Sequence, residues 1–468
     1  MDKGEYEGYD EQEMQVLVNR FEEMVKQGDH YYFDVGDFED IIEYYFRKNN
    51  LRYISKALSY ASEQHPDTAV FVLRKAQLYV STNKAEKALQ LLKKVEILDP
   101  YNNELFMTKG AIYSQMKKYD KAIEEYNKAT QDAEALDEVY ISIAYEYENL
   151  NNFDKALLFL KKALKINPEN DSALYEISFC FEHCNKLEDS IRFFTEFLDK
   201  NPYSVIAWYN LGVNYNLLDM YEKSIEAFDY AITVDPGFSS AYFNKGNSLL
   251  ALEKYDKAIE VYKEALNMEF PEAYTHYYMG ECYEKMKDYD NALLSYKNAL
   301  TVDEKITDAW IGMSSVFDEL GKSGEGINCI LKALQTEPMN SEYWYMLGDA
   351  QMNAGLITDA IDSFKKVSQY DGANPDIWLD YSDAYMKLND IEMAVEVIIK
   401  GIEKQPENIS QRYRLAAYLF KSGNNIEASE TLETSLQLDY KRNIELLEYD
   451  ASFASNLQIL DLIELYKK

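Results

Sequence analysis

Proline and glycine are scarce in this chain of 468 residues, at 9 and 18. Sheet architectures need a turn residue every few positions, so most of them are excluded. Four cysteines are too few for a disulfide framework. No apolar stretch approaches the roughly 20 residues of a membrane helix. The first ten residues are acidic and lack the apolar core of an export signal, so the cytoplasm is the expected compartment. Basic residues are outnumbered, 48 against 82 acidic ones, for a formal charge of -34, and they form no long run. A duplex or an anionic membrane surface would be repelled, so neither is expected as a partner.

Apolar residues make up 47% of the chain, enough for a continuous core and too many for disorder over most of the length. A single compact core does not usually organise so many residues, which leaves several domains or a repeat array. Prolines at 66, 100, 168, 202, 236, 338 and 406 are separated by 34 residues or multiples of 34. The same step lands on Glu134, on Phe270 beside Pro271, and on Glu304, Gly372 and Tyr440.

Repeats counted from three residues after each mark begin at 69, 103, 137 and so on to 409. Their eighth position is always small: Ala76, Gly110, Ala144, Ser178, Gly212, Gly246, Gly280, Ser314, Gly348, Ser382 and Ala416. The twentieth is small as well, from Ala88 and Ala122 through Ser190 and Gly326 to Ala428. Small residues at fixed places on two helices let their axes approach closely. Bulky residues at positions 4, 7 and 11, such as Trp208, Leu211 and Tyr215, complete an i, i+3, i+4, i+7 stripe. Position 24 supplies matching bulk on the second helix, as in Tyr126, Phe228, Tyr262, Tyr296 and Phe364.

This pattern resembles the tetratricopeptide repeat. The segment 205–238 carries nearly the whole signature in Trp208, Leu211, Gly212, Tyr215, Phe228, Ala231 and Pro236, with Ser224 in an alanine place. The resemblance covers eleven consecutive repeats. It implies an all-α, right-handed superhelical solenoid of helix-turn-helix repeats with a concave groove and capping helices. The expected divisions are an acidic tail and N-terminal capping helix (1–34), a degenerate first repeat (35–68), eleven tandem repeats (69–442) and C-terminal capping helices (443–468). In the degenerate repeat Ile42 takes the small-residue place and the second helix is expected to be displaced. The first ten residues are expected to be disordered. The ends resemble those of long repeat proteins of Bacteroidota.

Candidate chemistry is sparse. Cys180, His183 and Cys184 fall within five residues, but structural zinc needs four ligands, and position 14, where Cys184 stands, elsewhere holds core leucines. Gly321-Lys322-Ser323 lacks the preceding glycine and strand of a phosphate loop and falls in an inter-helix turn. The four histidines (His30, His65, His183, His276) form no nucleophile constellation in the repeat register. No enzymatic activity, metal or cofactor is expected.

The resemblance implies that positions 2, 5, 6, 9, 12 and 13 of each first helix line the groove, and helical spacing independently places them opposite the packing stripe. Position 5 gives Tyr175, Tyr209, Phe243 and Tyr277 in four successive repeats. These rings either pack between repeats or offer wide, rigid anchors to a peptide. Position 6 places Asn210 above Asn244, with Asn247 nearby, and amides of this kind can grip an extended backbone. Tyr278 and Glu281 adjoin them on the next repeat. The six positions together hold 15 acidic and 5 basic residues, with Asp308, Glu342, Asp349, Asp376, Asp380 and Asp383 in the C-terminal half. The expected partner is a protein or peptide rich in basic and aromatic residues, held by a scaffold. The alternative is a structural subunit that uses the convex face or the caps to oligomerise or join a complex.

Overall fold

The computed structural model describes residues 11–28, 30–66, 68–131, 135–268 and 272–467. The first ten residues, Glu134, Phe270 and Pro271 lie outside the described residues. Among the described residues the chain is all-α, with no strand. From Val35 to Leu438 it runs as twelve helix pairs whose first helices begin at Val35, Ala69, Asn103, Leu136, Asp171, Val205, Ser239, Glu272, Thr307, Ser341, Ile377 and Ile409. Each first helix packs on its own second helix and, within a compact unit, that second helix packs on the next first helix. The pairs fall into two compact units, one ending at Pro236 and one beginning at Gly237, each a stack of this kind.

The small eighth position is explained by what faces it. A Cβ added at Gly212 would stand 2.6 Å from Cε1 of Phe228, and one at Gly348 would stand 2.5 Å from Cε1 of Phe364. Gly110, Gly246 and Gly280 meet Tyr126, Tyr262 and Tyr296 in the same way. Where position 8 is alanine, position 24 shrinks to leucine, as in Ala76 with Leu92, Ala144 with Leu160 and Ala416 with Leu432, all fully buried. The two sites share one volume, so close packing couples them.

A second regularity was not visible in the residue types. The residue at position 15 of every one of the twelve pairs is left-handed: Asn49, Asn83, Lys117, Asn151, Asn185, Asp219, Glu253, Lys287, Gly321, Gly355, Asn389 and Gly423, with φ from 51 to 81°. The next amide closes a 6→1 bond onto the first helix, as Asn152 N–H does to Tyr147 O at 2.8 Å and Lys254 N–H to Leu249 O at 2.9 Å. This Schellman geometry ends the first helix and reverses the chain. It also accounts for Gly321, whose neighbours Lys322 and Ser323 open the following helix. A glycine relieves the Cβ strain of this conformation. Glu253→Gly and Lys287→Gly are therefore each expected to stabilise by about 0.5–1 kcal/mol, read as a rise in thermal midpoint. A fall in either would show that side-chain contacts outweigh the backbone strain.

The periodic mark is an anchor. Nε1 of Trp208 donates to Pro202 O (2.8 Å), Trp344 to Pro338 O (2.9 Å) and Trp378 to Gly372 O (3.1 Å), so an indole at position 4 ties each of these repeats to the mark preceding it.

The first pair differs from expectation. Its second helix, Leu51–Gln64, starts sixteen residues after Val35, the same offset as Ala85 from Ala69, so it is not displaced. Ile42, Ile54 and Leu58 are absorbed by a core that also takes Phe33 and Phe38, with Leu17, Val18, Phe21 and Met24 from helix Glu11–Gln27. At the other end, helix Asn443–Tyr449 begins one period after Ile409 and buries Leu446, and helix Leu457–Leu465 buries Ile459 and Ile463.

Candidate partner-binding surface

In the N-terminal unit Tyr175 is exposed and meets Tyr209 edge-on, with centroids 6.3 Å apart, while Tyr209 also leans on Phe228 at 5.8 Å. Asn210 does not line an open surface. It is 3% exposed, and its amide donates to Leu174 O of the preceding repeat at 3.1 Å. Asn214 is fully buried and donates to Ser178 Oγ (3.2 Å) and Asn210 O (2.6 Å). These asparagines are struts between repeats, where a buried amide must find partners.

In the C-terminal unit Phe243 and Tyr278 stand 5.8 Å apart, Tyr278 and Tyr277 5.1 Å, and Tyr277 and Tyr296 5.8 Å. All three groove residues are half-buried, so these rings both pack and present an edge. Asn244 turns back on its own helix, donating to Ser240 O at 3.0 Å, and Asn247 accepts from the hydroxyl of Tyr262 at 2.7 Å. Burial beside Tyr277 and Tyr278 raises the pKa of Glu281.

The acidic row divides in two. Asp308, Glu342, Asp349 and Asp376 are exposed. Asp380 is half-buried, accepts from the hydroxyl of Tyr345, and is raised chiefly by burial. Asp383 is not available as a receptor carboxylate. It pairs with Arg414 and accepts from the hydroxyl of Tyr418 at 2.6 Å. Arg414 in turn lies 4.3 Å from the ring of Tyr449 in the terminal helix. Beside this network a cleft of about 410 Å³ is lined by Leu379, Tyr413, Arg414, Glu448 and Tyr449. A larger one, about 680 Å³, includes Asp376, Asn408, Asp439 and Arg442.

Position 9, which carries Tyr145 and Phe179, adds exposed rings that the position-5 series does not contain. Glu148 and Glu176 lie on adjacent first helices, and burial raises both carboxyls. Cys180 Sγ donates to Glu148 at 3.3 Å. Burial, then the Glu176 carboxylate, pushes Glu148 up to about 7. Its folded value lies above that of the open chain, so the folded form holds the extra proton and stability falls as pH rises from about 4.5 through 7. Glu148→Gln is expected to raise the thermal midpoint at pH 8 and to change it little at pH 5. An equal change at both values would contradict this.

The cysteine–histidine cluster resolves into packing. Cys180 is buried, Cys184 is half-buried rather than in the core, and the His183 ring lies 4.0 Å from Phe179. Among the described residues no group of three His, Cys, Asp or Glu side chains could hold a metal ion. No helix among them is long and apolar enough to cross a membrane.

Four family models, each described as the tetratricopeptide repeat, match the chain: one at 138–170, 239–269 and 273–306, one at 104–131 and 205–238, one at 312–376 and one at 351–417. Together these segments span more than half of the 468 residues. No curated protein matches the sequence. Among solved structures the chain is similar to a MamA protein, at 19% identity over 36% of this chain and 91% of that one, with a TM-score of 0.33. It is also similar to a chain of the APC/C hetero-tetramer Cut9-Hcn1, at 14% identity over 91% of this chain and 93% of that one, with a TM-score of 0.38.

Proposed function

Because this chain is a tetratricopeptide-repeat protein, we propose that it is a non-enzymatic scaffold that holds a protein or peptide partner along the first-helix faces of its repeats. The observation that carries this reading is the joint exposure, on those faces, of aromatic rings and of carboxylates without a balancing number of cations. Tyr145, Tyr175 and Phe179 are exposed in one unit, and Asp308, Glu342, Asp349 and Asp376 in the other. Rings of this kind lose little conformational entropy on binding and supply most of the contact energy. The carboxylates steer and select a basic partner, each exposed pair adding about 0–1 kcal/mol. Net charge of -34 works against nucleic acid.

Affinity capture from a cell lysate tests this, with wild type, Tyr175→Ala/Tyr277→Ala and a surface control compared at low and physiological salt. A defined partner that the wild type retains, that the double variant loses by at least about tenfold, and that salt weakens is the expected result. Retention by the double variant would move the binding surface elsewhere.

A second reading, self-assembly or a place in a larger complex, draws on apolar side chains away from those faces. Ile97, Leu98 and Tyr101 are exposed together at the end of one repeat, and Trp208 and Tyr230 stack 4.4 Å apart in a cleft of about 400 Å³. Light scattering over a concentration series separates the readings, since self-association shifts mass with concentration.

A further inference from the structure

In the N-terminal unit a cleft of about 420 Å³ is lined by the second helices Phe153–Ile166 and Leu187–Leu198, with Phe181 from the first helix Asp171–His183. Three cations line it, Lys161, Lys186 and Arg192, in a chain whose acidic residues outnumber its basic ones 82 to 48. The three clefts described above hold one cation each: Arg414, Arg442 and Lys223.

The cations of this cleft are satisfied in different ways. Lys186 pairs with Asp154 at 2.6 Å and Arg192 with Asp189 at 3.4 Å, and both pairs are open to solvent. Lys161 is half-buried and has neither a carboxylate partner nor a hydrogen bond among the described residues. Asp189 and Glu196 share the cleft without forming an ion pair with it. Its ammonium lies 4.9 Å from the centre of the Phe181 ring and 5.0 Å from that of Phe193, and the two rings stand 6.1 Å apart.

A lysine stem is flexible, and ordering it is much of why an exposed ion pair contributes so little. Two rings already hold this one, so a carboxylate arriving at Lys161 has less to order. The rings attract the charge, yet the ammonium donors still lack an oxygen acceptor from the chain. Leu158, more than half exposed, and Phe193 supply apolar surface in the same cleft.

We propose that this cleft receives an acidic residue of a protein partner, whose carboxylate bonds to Lys161 while an apolar neighbour in the same segment packs on Leu158 and Phe193. Arg192, in a long and exposed pair with Asp189, turns to the incoming carboxylate at little cost. The site lies on second helices and selects the opposite charge from the first-helix faces, so it goes beyond the reading of those faces and does not depend on it. A net charge of -34 opposes an acidic partner at long range. Salt near physiological strength screens that field beyond about 8 Å and leaves the contact at Lys161 largely intact.

The probe is a short fluorescein-labelled peptide in which glutamate alternates with leucine. Anisotropy compares it with its glutamine-for-glutamate counterpart at about 0.15 M salt. Wild type is expected to bind the glutamate peptide about fivefold more tightly. Lys161→Met, which keeps an apolar stem against both rings, should erase that preference, and Lys161→Arg should keep most of it. Helix content is checked in each variant, and Lys161→Gln replaces the methionine variant if that one does not fold. Lys162→Met is the control, because Lys162 sits by Phe159 and Tyr140 and does not line the cleft. That variant and Tyr175→Ala/Tyr277→Ala should both leave the preference intact. A wild type without the preference, or a Lys161→Met variant that retains it, overturns the proposal. Loss in the tyrosine variant alone also overturns it, by moving the acidic peptide to the first-helix faces.

Discussion

Gly348→Ala is expected to lower the thermal midpoint markedly, at a cost of about 1–3 kcal/mol or somewhat more. The new methyl carbon would fall 2.5 Å from Cε1 and 2.7 Å from Cδ1 of Phe364, well inside contact distance. The ring has no room to withdraw. Phe364 is fully buried in a core with Ile361, Ile377, Trp378 and Tyr381, and its other side meets Tyr345 at 6.0 Å. The chain also states the remedy, because Ala416 faces Leu432 at the same two positions. Phe364→Leu alone should cost about 1–2 kcal/mol through the cavity it leaves. Combined with Gly348→Ala it should recover much of the loss, a coupling that a double-mutant cycle measures directly. Additive losses would show that the two positions do not share one volume.

Arg414→Met is expected to loosen the C-terminal end of the stack at a cost on the order of 3 kcal/mol. Arg414 is largely buried, pairs with Asp383, and carries the ring of Tyr449 at 4.3 Å. Tyr449 also touches Tyr418 at 5.8 Å and receives Lys421 at 5.0 Å, and Lys421 pairs with Asp450 at 2.8 Å. One guanidinium thus joins two repeats to the terminal helix. Its removal leaves Asp383 uncompensated beside Asp380, whose carboxyl burial already raises. Hydrogen exchange should speed up across 443–465 and remain unchanged in the N-terminal unit. Arg414→Met/Asp383→Asn should restore most of the protection, since removing both charges is much cheaper than stranding one. Unchanged exchange at 443–465 in the single variant would mean that Leu446, Phe453 and Ile459 hold the end without the ion pair.

The period of 34 was legible because its cause is steric. Helices this close admit only small residues at two places, and a chain that violates the rule at Gly348 or Ala394 loses the packing, so the residue types betray the register. Depth was less legible. Asn210 sits on the helical face that spacing assigns to the groove, yet it is turned inward to Leu174, because a face spans residues of very different burial. The pairing of Asp383 is hidden in the sequence for a related reason: its partner Arg414 lies one repeat away. Pairs of that kind depend on how repeats stack. The left-handed turns are not legible in the sequence because lysine, glutamate, aspartate and asparagine share that site with glycine. Position 9 carries the same kind of signal as position 5, with Tyr145 and Phe179 in successive repeats.

Partners are expected along the first-helix faces. Hydrogen exchange of the protein with and without its captured partner tests it most directly. Protection gathered in first helices such as Leu136–Asn149, Asp171–His183 and Ser341–Asn353 is the expected result. Protection confined to second helices such as Tyr221–Val234, or to the terminal helices Asn443–Tyr449 and Leu457–Leu465, would contradict it.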